Sequence, residues 1–319
     1  MSTPTQQERV RDYLAERRRL GFELASSEYV LMSFARFVDT QNHHGPLTVE
    51  LMAQWARCGE HHQGTQITWA RRLKKLRPFA RYLRQFEPGT EVPDASIFGS
   101  LPKRQTPHIY HEKEIVDLLA AARSLAPTGG LRPATYETLF GLIAAAGLRI
   151  SEAMHLLDAD VDLKLGMLTV RQSKFAKSRQ LPLHPSAVAA LRRYRRTRNR
   201  HLKVTAEMPF FVTNKGKAPS SRQVHRVFAE LRKQLGWVNR GAHHAPRIHD
   251  LRHAFAVRRV MLWHEQGTDI DQAMLALSTY MGHVKISNTY WYLTAVPELM
   301  ALAAEKFERF ANAQEVDNA

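Results

Sequence analysis

Cysteine is all but missing from these 319 residues. Cys58 stands alone, so the chain can close no intrachain disulfide and build no cysteine-based zinc site. Long apolar runs are missing as well. None approaches the roughly 18 residues that cross a bilayer, and Met1-Ser-Thr-Pro-Thr-Gln-Gln-Glu8 lacks the apolar core of a secretory leader. Acidic side chains are scarce: 30 Asp and Glu face 46 Lys and Arg, an excess of 16 cations and a pI near 10.2. With 44% hydrophobic residues the chain can bury a core, which excludes wholesale disorder. The cationic excess is uneven. Residues 1–100 hold 14 basic and 11 acidic side chains, whereas 171–259 hold 22 basic and 3 acidic. Such a field calls for a polyanion, and nucleic acid is the first candidate. These features predict a cytoplasmic, nucleoid-associated protein with no membrane partner.

Periodicity divides the chain. Thr5-x-x-Glu8 has the form of a capping box and opens a helix through about Arg19. Further helical patterns run over about 26–40, 48–58 and 65–86. On the last, Leu73, Leu76, Phe79, Ala80 and Leu83 share one arc, while Arg71, Lys74, Lys75 and Arg77 fill much of the rest. That basic face is either solvated or tracks phosphates. Pro88, Gly89, Pro93, Pro102 and Pro107 then punctuate a stretch without helical period, which predicts a linker over 88–107. Beyond it, helical patterns alternate with one exception at 161–183. There Met167-Leu-Thr-Val-Arg171 and Arg179-Gln-Leu-Pro-Leu183 flank a polar turn and predict a hairpin, with Pro182 holding its second strand to an edge. The expected fold is mainly α with a small antiparallel β-sheet.

Four short segments carry chemistry. In Gly147-Leu-Arg149-Ile-Ser-Glu152, an Arg and a Glu three apart at a helix start can pair. In His249-Asp-Leu-Arg252-His253, His249 and Arg252 share a helix face. A zinc reading of His249 and His253 fails on detail, because Asp250 replaces the expected Glu and Arg252 would set a cation beside the metal. Gly282-His283 is followed nine residues later by Tyr292, a weak nucleophile unless a cationic site activates it. The hairpin turn offers Lys174, Lys177 and Arg179. A fifth feature, the run from Arg192 to Arg200, is either a solvated helix end or a phosphate contact; Arg193 and Arg196 are its candidate DNA-binding members.

In this order and spacing the four segments resemble the tyrosine recombinase (phage integrase) family, over about 108–292 by motif. The resemblance implies that Arg149 and Arg252 are the catalytic arginines, His249 and His283 the active-site histidines, Tyr292 the nucleophile and Glu152 the acidic support of the first arginine. It makes Lys174 the general acid if Ser173-Lys174-Phe175 stands for the family's Gly-Lys-Gly; the missing glycines leave Lys177 as a substitute. A second departure is Ser278-Thr-Tyr-Met281, which replaces the usual apolar run before Gly-His. The resemblance further implies a helical core-binding domain over 1–87, a linker over 88–107 and a catalytic domain over 108–319. It looks like a short, Xer-like member without a separate arm-binding domain.

The implied activity is site-specific DNA recombination through a 3′-phosphotyrosyl intermediate, with no metal, ATP or other cofactor. Partners would be two specific duplex sites and three further copies in a tetramer. Lys177, Arg179, Arg193, Arg196, Arg71, Lys74 and Lys75 are the expected DNA-binding residues. Two rival readings share these features: a type IB topoisomerase-like relaxing enzyme, and a catalytically silent DNA-binding regulator. Finally, Leu299, Leu302, Ala303, Phe307 and Phe310 predict an apolar stripe on a terminal helix beginning at Pro297. It packs either on its own catalytic domain or, as in related recombinases, on a neighbouring subunit.

Overall fold

The structure, a computed structural model, describes residues 4–58, 65–102, 104–173 and 177–294, excluding the side chains of residues 172, 173, 177, 271 and 292–294. It divides into two compact units, Met1–Arg104 and Gln105–Ala319. The described elements are mostly helical, with a three-stranded antiparallel sheet in the second unit.

The first unit contains α1 (Gln6–Arg19), α2 (Ala25–Thr40), α3 (Val49–Arg57) and α4 (Gln66–Leu83). The capping box forms as the sequence predicts: the Glu8 amide donates to Thr5 Oγ1 at 3.2 Å and the Thr5 amide to Glu8 Oε2 at 2.7 Å. Leu31, Phe34, Trp55, Leu76 and Phe79 form the core. The α4 stripe lies against them; Arg71 and Arg81 are exposed, whereas half-buried Arg72 stacks over Trp55 and donates to the Ala56 carbonyl at 3.2 Å.

The interval expected as a linker is packed instead. Thr90 and Phe98 are buried, the Glu91 amide donates to the Leu47 carbonyl at 2.8 Å, and Phe98 meets Trp69 edge-on. Proline and glycine deny this segment a helical ladder, yet Val92, Ile97, Phe98 and Leu101 still supply apolar surface to bury. Its last residues belong to the second unit: the Ala242 amide donates to the Thr106 carbonyl at 3.0 Å, and His108 is buried.

The second unit is built around α6 (Leu131–Ala146), which packs against α5 (Glu112–Arg123), α8 (Pro185–His201) and α10 (Ile248–Glu265). A helix apolar on nearly every side must be covered on nearly every side, and Leu139, Phe140 and Ile143 are wholly enclosed. Short α7 (Ile150–Met154) follows. The sheet is β1 (Val161–Asp162), β2 (Met167–Ser173) and β3 (Lys177–Pro182) in that order, so β3 is an edge strand and Pro182 sits where the sequence puts it. Then come α9 (Ser221–Leu235), α11 (Ile270–Met281) and α12 (Ser287–Thr294). The stripe expected after Pro297 lies outside the described residues.

Candidate active site

Gly147 ends α6 at φ +60°, a left-handed conformation that suits glycine, and turns the chain so that Arg149 becomes the N-cap of α7. Space also demands glycine here, because a Cβ at 147 would lie 2.4 Å from the Phe255 ring. Glu152, one turn on, accepts from the Arg149 amide at 3.0 Å and from Arg149 Nη1 at 2.6 Å.

Glu152 is the hub. It is 4% exposed and serves three guanidiniums from separate elements. Arg179, from β3, grips it with a fork: Nη1 to Oε1 at 3.0 Å and Nη2 to Oε2 at 2.9 Å. Arg252, from α10, places Nη1 3.9 Å from Oε2. Burial pushes the Glu152 pKa up. The opposing hydrogen bonds and charge of Arg179, with Arg149 behind them, win and hold it at about 2.

The same three arginines seize the end of α11. Arg179 Nε donates to the Tyr280 carbonyl at 2.8 Å, Arg252 Nη2 to Met281 at 2.7 Å and Arg149 Nη2 to Gly282 at 3.0 Å. A helix C-terminus carries unpaired carbonyls and partial negative charge, so cations are favoured there. Arg252 also donates to the Gly147 carbonyl at 2.6 Å, tying the ends of α6 and α11 together. It is 1% exposed, whereas Arg149 reaches solvent with about a quarter of its side chain.

Both histidines join this centre. Arg252 Nη2 lies 3.1 Å from His283 Nε2, and His283 Nδ1 lies 2.7 Å from Thr289 Oγ1. A guanidinium can only donate, so Nε2 accepts and the ring proton sits on Nδ1, facing Thr289. His249, one turn before Arg252 on α10, stacks edge-on against His253 at 4.8 Å. Its ring is open to solvent on one side, yet desolvation by the surrounding chain, followed by the charges of Arg252 and Arg247, lowers its pKa to about 4. It is therefore neutral near pH 7. His253 is buried between His249 and Trp291. Residue 292 sits on α12 one turn beyond buried Thr289.

Other expected site residues lie elsewhere or differ in role. Arg179, read as a DNA contact, is 12% exposed and turned inward onto Glu152; a hairpin cation gave no sign of a carboxylate 27 positions earlier. Lys174 lies outside the described residues, and Lys177 is placed only as the first residue of β3. Arg193 and Arg196 are exposed on α8. Within that run, however, Arg195 and Arg198 turn inward to protein oxygens of Val161 and Asp158, and Arg192, itself exposed, donates to the Leu163 carbonyl. Arg71 and Lys74 are exposed on α4, while the Lys75 ammonium donates to the Ser26 carbonyl at 3.0 Å. Sequence reasoning did not single out Thr289 or the Arg247–Asp250 pair. Arg247 Nη2 donates to wholly buried Asp250 at 2.7 Å, at the start of the helix that carries His249 and Arg252.

Comparison with known proteins matches residues 109–298 to the phage integrase family. The chain is 39% identical over 304 residues to y4rB of Sinorhizobium fredii (strain NBRC 101917 / NGR234), named as an integrase/recombinase, covering 94% of this chain and 96% of that protein. It is 29% identical over 234 residues to the tyrosine recombinase XerC of Thermodesulfovibrio yellowstonii, covering 72% and 71%. Among solved structures, the fold is similar to the Tn1549 transposon integrase in complex with transposon right end DNA. The TM-score is 0.67 at 16% identity, covering 97% of this chain and all of that one. The XerH site-specific recombinase bound to difH gives a TM-score of 0.63 at 15% identity, covering 93% and 84%.

Proposed function

The chain belongs to the phage integrase family of tyrosine recombinases, and from that premise we propose that it cleaves and rejoins duplex DNA at specific sites through a 3′-phosphotyrosyl intermediate, without metal or ATP. One observation carries the reading. Three guanidiniums converge on a single carboxylate at the end of α11, beside a neutral histidine and the helix that bears residue 292. Such a centre carries a surplus of fixed positive charge suited to a phosphate anion.

In this mechanism the Tyr292 oxygen attacks the scissile phosphorus, and the bond to the 5′ oxygen breaks. Arg149 and Arg252 neutralise the non-bridging oxygens of the pentacoordinate state and stay charged at every working pH. His249, neutral near pH 7, accepts the tyrosine proton. Lys174, or Lys177 in its stead, protonates the departing 5′ oxygen. His283 can add a donor to the phosphate after taking up a proton or shifting it from Nδ1 to Nε2. The phosphotyrosyl bond keeps the character of the phosphodiester, so a second 5′-hydroxyl reverses the step and no external energy is needed.

DNA is the proposed partner: the structures of similar fold include DNA complexes, and the basic segment 171–259 supplies phosphate-binding charge. The first unit serves as the core-binding domain and the second as the catalytic domain. Four copies act on two sites, with the segment after Pro297 docking on a neighbour. Deleting that segment should spare single-site binding and weaken two-duplex assembly on native gels.

A suicide site that loses its downstream strand tests the chemistry. Wild type should form a denaturant-resistant protein–DNA adduct, and Tyr292→Phe should form none while binding persists. An adduct retained by Tyr292→Phe but lost by Tyr290→Phe would overturn the assignment. A substrate with a 5′-bridging sulfur needs no proton on its leaving group; it should rescue Lys174→Ala, and rescue of Lys177→Ala alone would move the acid role there. Joining of two specific sites, as opposed to simple loss of supercoils, separates recombination from relaxation.

A further inference from the structure

Arg179 sits in the hairpin strand but spends its guanidinium on the interior. All three of its nitrogens are engaged, Nη1 and Nη2 on Glu152 and Nε on the Tyr280 carbonyl. These partners lie 27 and 101 residues away, on α7 and α11. The fit is tight on the far side too. Gly282 stands at φ +66°, and a Cβ there would lie 2.8 Å from Arg179 Nη1. We infer that Arg179 is a positioning residue of the recombination site, tying strand β3, and with it the hairpin that starts again at Lys177, to Glu152 and the end of α11.

The inference rests on the chemistry proposed above. Arg179 does not touch the scissile phosphate; it acts through Glu152, which holds Arg149 by its amide and Nη1. It also anchors the strand two residues from Lys177. In this way the hairpin that supplies the acid and the arginines that bind phosphate keep one register. Among the described residues, the groups facing Glu152 are Arg149 from its own helix, Arg179 from β3 and Arg252 from α10, with His283 beyond Arg252. Without Arg179 the carboxylate stays buried, keeps Arg149 and the more distant Arg252, and loses its forked partner. Protonation then becomes easier.

Adduct formation on the suicide site from pH 5.5 to 8.5 tests this, with each variant expressed as its ratio to wild type. For Arg179→Met the ratio should fall as pH falls, approaching tenfold per unit once Glu152 begins to take a proton. Adding Glu152→Gln should remove that dependence. A support that acts on stability alone would give a ratio constant with pH. Arg179→Lys keeps the charge but cannot form the fork, and covers the case in which Arg179→Met does not fold. It should cleave the normal site about tenfold more slowly and recover on the 5′-bridging sulfur substrate, because the misplaced hairpin acid is then not needed. A pH-independent Arg179→Met ratio, or an Arg179→Lys rate equal to wild type on both substrates, overturns the inference while leaving the recombinase reading intact. A wild-type chain that forms no adduct overturns both.

Discussion

Two arginine clusters, one around Glu152 and one along α8, use their guanidiniums differently. At the first, guanidiniums from three elements meet one carboxylate and three successive carbonyls. Along α8 the run splits by helical period. Arg192, Arg195 and Arg198 fasten the helix to protein oxygens, with Arg198 wholly buried against Asp158, while Arg193, Arg196 and Arg200 face solvent. Equal local charge therefore ends in three places: on a buried carboxylate, on protein oxygens beside the helix, and in solvent. Burial and partner decide among them.

The largest effect should come from the centre. Arg252→Ala removes a buried guanidinium from the proposed phosphate site and should slow adduct formation by about 10²–10³-fold or more, with site binding measured on gels nearly unchanged. A loss under tenfold would erase the contrast between the clusters. Next is Arg198→Met. Leaving Asp158 without its buried partner should lower unfolding free energy by about 3 kcal/mol in denaturant titrations, while cleavage per folded molecule stays near wild type. Loss of cleavage without loss of stability would put Arg198 in the wrong class.

Arg193→Ala and Arg196→Ala should each change stability by less than about 0.5 kcal/mol. Each should flatten the dependence of log affinity on log salt by about 0.9. An unchanged slope would return the outer face of α8 to simple solvation. The smallest effect concerns His249. Its folded pKa is lowered to about 4, so as pH drops below 6.5 the unfolded chain takes up a proton that the folded chain refuses. Stability should decline from that cause between pH 6.5 and 4, and His249→Gln should make the decline shallower. A steeper decline in the variant would contradict the sign.

That Arg149, Glu152, Arg252 and His283 belong together was legible because the proposed chemistry restricts residue type: phosphate needs permanent cations. Most helices were legible too: Thr5 marks an end that the structure reproduces, and the patterns at 26–40 and 48–58 correspond to α2 and α3. What stayed hidden depended on partners remote in sequence. Arg179 looked like any hairpin cation until Glu152 and Tyr280 stood beside it. The bonded members of the α8 run could be separated from the others only by their three-residue rhythm, and nothing local announced Leu163, Val161 and Asp158 as their partners. The stretch after Pro88 misled for another reason. Irregular backbone and exposure usually travel together, but Phe98 needs only a hydrophobic neighbour, and Trp69 supplies it.

The grip on the end of α11 falls on main-chain oxygens, which are the same whatever side chains residues 280 and 281 carry. This makes the mount tolerant of sequence drift. Ser278-Thr-Tyr-Met281 can replace an apolar run because Ser278 and Met281 are buried all the same and Tyr280 stacks on Phe255 at 5.7 Å. The carbonyls of residues 280–282 meanwhile keep presenting the same three acceptors. Gly282 is the exception, hemmed in by Arg179. A library that varies 279 and 280, keeps 278 and 281 small or apolar and keeps glycine at 282 should therefore retain many active members, whereas one that varies 282 should retain few.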